Sequence, residues 1–391
     1  MNSKNRSILK FSIVPVAAIC LALLLVIIVR SPATSTRKSS LFHASLLASS
    51  SLSGSSQNPT AGLFSNGSGW ALTTAGLELT ANRGASFSLV QTPVPVVNVD
   101  DVALSGSHVS IAGVINSSPF FEISSNSGGT WKSVPLPPGE SNAGRAQFVT
   151  EGGVILGMLV TDVTSSNFSD GEWYATPNGG ATWRHYSLPS GGVITSVGRN
   201  LWLAAGPRFT SLYRSTNFGA TWSKVVLPKA ASTHGQALSL PGQLKNGNVV
   251  LVATRPTDSN AATFGVAIFI SRDNGINWSG LARTTFTGQI NSGVTVASAV
   301  SANTIWLGES TDQGLVLISS LGKASSTIRI AGVFSNGSIS SIIPTGNSSA
   351  WITTMKSECL SDKTSCSDTG GLISTVNAGR TWSGVKLVPK A

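Results

Sequence analysis

The chain has 391 residues, 41 of them Gly and only 11% of them charged. That balance speaks against a helical protein and suits many short strands joined by turns. The formal net charge of +10 is partly an end effect: Lys4, Arg6, Lys10, Arg30, Arg37 and Lys38 all precede residue 39, which leaves 20 basic against 16 acidic side chains, a net +4 over 39–391. Charge this diffuse excludes the clustered stripe of a nucleic-acid binder, so no nucleic-acid partner is expected.

Residues 1–10 form a short basic terminus, and Phe11 to Val29 follow as an apolar run. At about 1.5 Å per residue such a run just crosses a hydrocarbon core of ~30 Å, and it is longer than the ~7–15 apolar residues usual in a cleaved leader. The reading is an uncleaved single-pass anchor with the bulk of the chain outside the cell membrane. Three basic residues on each side leave orientation to the short basic N-terminus. Cys20 lies inside the run. Residues 30–60 are rich in Ser and low in complexity, which predicts a flexible spacer. Residues 61–391 are then the folded part, with no convincing amphipathic helix in it.

An eight-residue pattern organises that part: Ser/Thr, any residue, Asn/Asp, any residue, Gly, any residue, Thr, Trp. It runs from Ser215 to Trp222 and recurs at Ser124–Trp131, Thr176–Trp183, Ser271–Trp278 and Thr375–Trp382, with Asn277 in place of Thr in the fourth of these in chain order. A weaker copy, Thr80–Phe87, ends on Phe. The side chains that define the turns are Asn82, Gly84, Asn126, Gly128, Trp131, Asn178, Gly180, Trp183, Asn217, Gly219, Trp222, Asp273, Gly275, Trp278, Asn377, Gly379 and Trp382. The Asn or Asp is expected to accept a backbone N–H two residues on, the Gly to supply positive φ, and the Trp to begin the outgoing strand of a hairpin.

The octet resembles the Asp-box, or BNR repeat, of sialidases, sortilin-type receptors, some glycoside hydrolases and photosystem II assembly factors. That resemblance implies a β-propeller of the sialidase-like superfamily, with each octet in the turn between the third and fourth strands of a blade. It also implies that the octets face away from any ligand and are structural.

The octet aromatics at 87, 131, 183, 222, 278 and 382 are separated by 44, 52, 39, 56 and 104 residues. The last interval is twice 52, so a further unit is expected between 278 and 382, with a decayed octet near Leu315–Thr327. An apolar strand precedes each octet, as at Gly69–Leu72, Leu201–Ala204, Ile305–Gly308 and Ala350–Thr353. The expected fold is an all-β, seven-bladed β-propeller with Asp-box turns, preceded by one transmembrane helix. The spacing of strand and octet is most similar to the photosystem II assembly factor branch.

Function is expected in the loops opposite the octets, because long loops on a rigid scaffold are where function tends to sit. Those loops are Thr161–Glu172, Arg255–Asn260, Met355–Gly371, Gly139–Arg145 and Lys229–Gly247. Cys359 and Cys366, in the third of these, are a disulfide candidate; two free thiols is the other reading. A sialidase needs bidentate Arg for the substrate carboxylate, and Arg145, Arg208 and Arg255 are the candidates. The family's Arg-Ile-Pro motif is missing, and none of Tyr174, Tyr186 and Tyr213 looks placed as a nucleophile. A glycosidase needs two carboxyls across the scissile bond, for which Asp162, Asp258 and Glu309 are candidates. The four His form no metal spacing, and no metal or cofactor is expected. The sequence therefore points to a membrane-anchored extracytoplasmic propeller acting as a non-catalytic scaffold for a protein or glycan partner. A cell-surface glycoside hydrolase of the sialidase-like superfamily is the alternative.

Overall fold

The computed structural model describes residues 60–384 apart from 64–66, 74, 83, 140–141, 163–170, 199, 207–208, 229–236, 245, 257–262, 288–295, 302–303, 309–314, 320–325, 329–337, 345 and 360–365. The anchor at 11–29 and the spacer before residue 60 lie outside the described residues, as does the middle of the decayed octet, 320–325. Among the described residues no helix is long and apolar enough to cross a membrane, and the helical structure is a 3-10 turn at Val96–Asn98.

The rest is antiparallel strand. The first sheet holds β1 (Thr60–Leu63), β2 (Gly69–Thr73), β3 (Gly76–Thr80) and β4 (Ser88–Val90); the second holds β5 (Val99–Ser105), β6 (His108–Ile115), β7 (Ser118–Ser124) and β8 (Lys132–Ser133). The third holds β9 (Ala143–Glu151), β10 (Val154–Asp162), β11 (Gly171–Ala175) and β12 (Arg184–Ser187). The fourth holds β13 (Gly192–Val197), β14 (Asn200–Ala205), β15 (Ser211–Ser215) and β16 (Ser223–Lys224). The fifth holds β17 (Ala237–Leu238), β18 (Gly242–Gln243), β19 (Val249–Pro256), β20 (Thr263–Ser271) and β21 (Ser279–Thr287). The sixth, in the interval with no legible octet, holds β22 (Val296–Ser301), β23 (Thr304–Gly308), β24 (Leu315–Ser319) and β25 (Ser326–Ile328). The seventh holds β26 (Ser338–Pro344), β27 (Ala350–Cys359), β28 (Cys366–Thr375) and β29 (Ser383–Gly384).

Each sheet takes its strands in sequence order, and first strands touch the neighbouring sheet, as β9 touches β5 and β13. The fold is an all-β propeller. The apolar strand read before each octet is the second strand of its sheet; β14 is buried on both sides from Leu201 to Ala205, and Trp202 and Trp306 are 0% exposed. The first strand of the fifth sheet is broken into β17 and β18, because Pro241 between them has no N–H to give the ladder. The stretch expected as a loop at Lys229–Gly247 thus contains the first strand of this sheet.

The octets form one turn, built differently from the expected local Asx-turn. In Ser215–Trp222 the Ser215 hydroxyl, not the Asn, closes the tight end: it accepts the Gly219 N–H at 2.8 Å and donates to Asn217 Oδ1 at 3.0 Å. Asn217 Oδ1 accepts the Thr221 N–H at 2.9 Å, four residues on rather than two. Asn217 Nδ2 donates to Thr221 Oγ1 at 2.8 Å. The same set recurs at Thr176, Asn178 and Thr182, and at Thr375, Asn377 and Thr381. The variant octet explains its own substitution. Asp273 has no donor to offer, so Asn277 supplies one, giving its Nδ2 hydrogen to Asp273 Oδ2 at 2.7 Å. The Asn277 N–H, the Ser271 hydroxyl and the Asn277 side chain together hold the Asp273 carboxyl down to about 2. The Trp of each full octet ends the turn one residue before its outer strand and does not begin it, as Trp222 precedes β16.

The fifth octet position needs Gly for two reasons. Gly219 has φ +84°, and the Trp173 indole of the preceding sheet covers it so closely that a Cβ would collide. Trp173 also donates its indole N–H to the Phe218 carbonyl at 2.8 Å. The same contact links sheet to sheet: Gly180 sits on Phe121, Gly275 on Trp202 and Gly128 on Val90. Gly84, in the first sheet, sits on Trp351 of β27, so the first and last sheets meet through the same device. A buried aromatic removes ~150–250 Å² from water, worth roughly 4–6 kcal/mol at about 25 cal/mol per Å² before ordering costs.

Candidate functional site

Within each sheet that carries an octet, the octet lies at one end, and the start of the first strand, the end of the second and the start of the third lie at the other. At that other end the second and third sheets bring several charged groups together. Two bulges shape the place. In β5 the register slips between Val99 and Asp101, which makes Asp100 the extra residue; in β9 it slips between Ala143 and Arg145, which makes Gly144 the extra residue. A bulge bends its strand and re-aims side chains, and bulges concentrate beside functional sites. Gly113 permits the first, because a Cβ there would run into the Asn98 carbonyl.

Asp101 ties the two sheets. Its Oδ1 accepts the Val102 N–H and its Oδ2 the Phe148 N–H, both at 2.8 Å. It is 3% exposed, and burial pushes its carboxyl up to about 7 against the opposing pull of those amides and of the Arg145 guanidinium. Asp100 accepts the Ala146 N–H at 2.9 Å. Burial raises it to about 6, while Arg145 pulls the other way. Arg145 is thus the countercharge of a two-carboxyl cluster in the β9 strand, and not the loop residue expected.

A second group lies on the face of the third sheet that packs against the second. Tyr174, fully buried among Phe121, Phe148 and Trp183, donates its hydroxyl to Glu172 Oε2 at 2.9 Å. His185, the register partner of Tyr174 on β12, brings Nε2 to 3.5 Å from Glu172 Oε1, and the two rings lie 5.1 Å apart. Gly139 closes over the pair: a Cβ there would collide with the Tyr174 hydroxyl and Glu172 Oε2. Burial first, then the Glu172 hydrogen bond and the charges of Glu172 and Asp162, raise the Tyr174 phenol above its ordinary range. A nucleophilic Tyr needs the opposite shift. This cluster holds the proton on Tyr174.

Of the expected site residues, the structure brings Arg145 and Asp162 to this end of the third sheet: Thr161 pairs with Arg145, Asp162 pairs with Ala143, and the Asp162 charge reaches Tyr174. Arg208, Asp258 and Glu309 lie outside the described residues, as do the side chains of Arg255, Cys359 and Cys366. Strand enters two expected loops: β19 runs on through Arg255 to Pro256, with 257–260 outside the described residues, and β27 and β28 extend from Met355 to Cys359 and from Cys366 to Gly371. Asp100, Asp101 and the Glu172–Tyr174 pair were not anticipated. The period-2 placement of Glu172 and Tyr174 on one face of a strand was a readable signal; the contact of Asp101 with a strand 47 residues away was not. Among the described residues no group of three or more His, Cys, Asp or Glu is arranged to hold a metal.

No protein-family model and no curated protein matches the chain. Solved structures do. YCF48 from Cyanidioschyzon merolae aligns over 84% of this chain and 98% of its own, at 14% identity and a TM-score of 0.52. The likeness shows the fold. The GH74 xyloglucanase from Xanthomonas campestris aligns over 85% of this chain and 45% of its own, at 12% identity and a TM-score of 0.42. The GH93 α-L-arabinofuranosidase of Fusarium graminearum, solved with arabinobiose, aligns over 72% of this chain and 95% of its own, at 13% identity and a TM-score of 0.39.

Proposed function

We propose that the chain is a membrane-anchored, extracytoplasmic seven-bladed propeller that acts as a non-catalytic scaffold, binding a protein or glycan partner at the face opposite its octets. The seven sheets are its blades and the octets its Asp-box turns. One observation carries the non-catalytic reading: the buried carboxyl and phenol groups at that face are already engaged by partners within the protein. Asp101 is closed by two backbone amides, and Tyr174 is held protonated on Glu172. The apolar run at 11–29, the Ser-rich spacer and the resemblance of the octet spacing to photosystem II assembly factors support tethered assembly work.

Affinity capture of the full chain from a detergent extract tests this. An enriched partner that is lost with Arg145→Ala, while the thermal midpoint is kept, supports it. A glycoside hydrolase is the second reading because two carboxyl groups, Asp162 at the end of β10 and Glu172 at the start of β11, stand at the same end of the third sheet. Turnover of a chromogenic glycoside that disappears in Asp162→Ala would replace the scaffold reading.

The same proposal places a disulfide between Cys359 and Cys366. They are direct register partners across β27 and β28, and directly opposed residues sit about 4.5–5.5 Å apart between Cα atoms, inside the ~4.4–6.8 Å a disulfide spans. Maleimide labelling of denatured, unreduced protein should then reach Cys20 alone.

A further inference from the structure

A groove of about 690 Å³ opens on the octet side of the molecule, between the turn ending at Trp222 in the fourth sheet and the turn ending at Trp278 in the fifth. That size lies within the ~300–1,000 Å³ range of ligand-binding clefts. Its lining combines two cations, Arg214 and Lys224, with Val226, Leu227, Ile276 and Trp278, and contains no acidic side chain. We propose that this groove binds an extended acidic peptide whose aliphatic side chains alternate with carboxylates.

The cations are placed for a ligand. Arg214 stands on the third strand with its guanidinium 5.8 Å from the centre of the Trp202 ring, so the head is held in place by an aromatic face. Its Nε hydrogen is shut away from water with no acceptor among the described residues. Lys224 is exposed, and among the described residues neither cation forms an ion pair. The nearest octet carboxyl, Asp273, is absorbed by Ser271, Ile276 and Asn277 of its own turn. A carboxylate entering the groove would accept charge-assisted bonds from the remaining N–H groups of the Arg214 guanidinium and from Lys224, both of which line it.

The apolar half selects a peptide over a sugar. Val226 is 85% exposed and Ile276 65%, aliphatic side chains that a hydrated sugar ring would not cover well. The indole of Trp278, half-buried edge-on against Trp202 and donating its N–H to the Gly275 carbonyl, forms a wall rather than an open platform. The outer strand β16 and the extended residues after it run along the groove, with the Val225 N–H spent on the Leu212 carbonyl. The chain's own spacer is the wrong occupant, because residues 31–59 contain no Asp or Glu. A second copy is disfavoured by like charge, a net +4 over residues 39–391 of each chain.

The test uses the full chain in detergent micelles and a fluorophore-labelled hexapeptide alternating Glu and Val, read by anisotropy. Saturable binding is expected, weakened by about tenfold or more in Arg214→Gln, in Lys224→Gln and at raised salt, because charged contacts carry both affinity and its salt dependence. Ile276→Asn, at an exposed position that leaves folding intact, should weaken it comparably. A Lys–Val peptide should not bind. No saturable binding of the Glu–Val peptide overturns the proposal, as does binding unchanged in both Lys224→Gln and Ile276→Asn. Competition by an oligogalacturonate but not by unlabelled peptide would assign the groove to a sugar acid. A shift in sedimentation caused by Lys224→Gln would assign it to a second copy. Either result also overturns the peptide assignment.

Discussion

Replacing Asp101 by Asn should change the way stability depends on pH. In the unfolded chain this carboxyl titrates near its ordinary value of 3.8; in the folded chain burial holds it at about 7. Between those values the folded state keeps a proton that the unfolded state has released. Its contribution is therefore fully present below pH ~4, falls as pH rises toward ~7, and is level beyond. The interval from 3.8 to about 7 corresponds to a loss of up to roughly 4 kcal/mol. Asp100, raised to about 6, steepens the same slope, and Arg145 opposes both. Asn cannot titrate, but it offers one acceptor where two amides, Val102 and Phe148, each need one. The variant should be less stable at pH 5 by about 1–3 kcal/mol, the cost of one buried unsatisfied N–H. By pH 8 the wild type has lost its protonated-state advantage, so the gap closes or reverses. Urea midpoints of both proteins at pH 5 and pH 8 measure this. Parallel profiles, or a variant that falls further behind as pH rises, would refute the reasoning and mean that Asp101 is charged and stabilising in the fold.

Other outcomes follow from single contacts. Ser215→Ala strands the buried Gly219 N–H and should lower stability by about 1–3 kcal/mol in urea melts, while a change at exposed Thr221 costs less. Phe218→Asn should raise stability by about 1 kcal/mol, because Phe218 sits at φ +57°, a left-handed geometry that Asn tolerates far better, and its carbonyl bond to Trp173 is kept. Gly219→Ala drives a methyl into Trp173 at positive φ and should cost more than Ser215→Ala, read as a lower thermal midpoint. Gly139→Ala should push the Tyr174 hydroxyl off Glu172 at a cost of about 1–3 kcal/mol, visible as a changed near-ultraviolet Tyr signal.

Much of this was legible in the chain itself. The octet is a local device: its hydrogen bonds close within four residues, so the residue types at positions one, three, five and seven determine the turn wherever it occurs. A second strand such as β14 was legible because it is covered on both faces and reads as an unbroken apolar run. Even the exchange of Thr for Asn277 opposite Asp273 follows from which side chain has a hydrogen to give.

The candidate site was not legible in the same way, because its contacts are made between sheets. Nothing near Asp101 in the sequence announces that Phe148 will donate to it, nor that Gly139 will close over Tyr174 and Glu172. Strand enters the loops expected at Arg255 and Met355 for the same reason: polar residues extend a ladder when the partner strand is present to take their backbone bonds. The sequence by itself determined the turns, the repeat and the all-β fold, since those rest on short-range bonds and on burial pattern. Only the tertiary structure decided which charged groups meet, because a carboxyl's environment is set by whichever neighbouring sheet removes it from water.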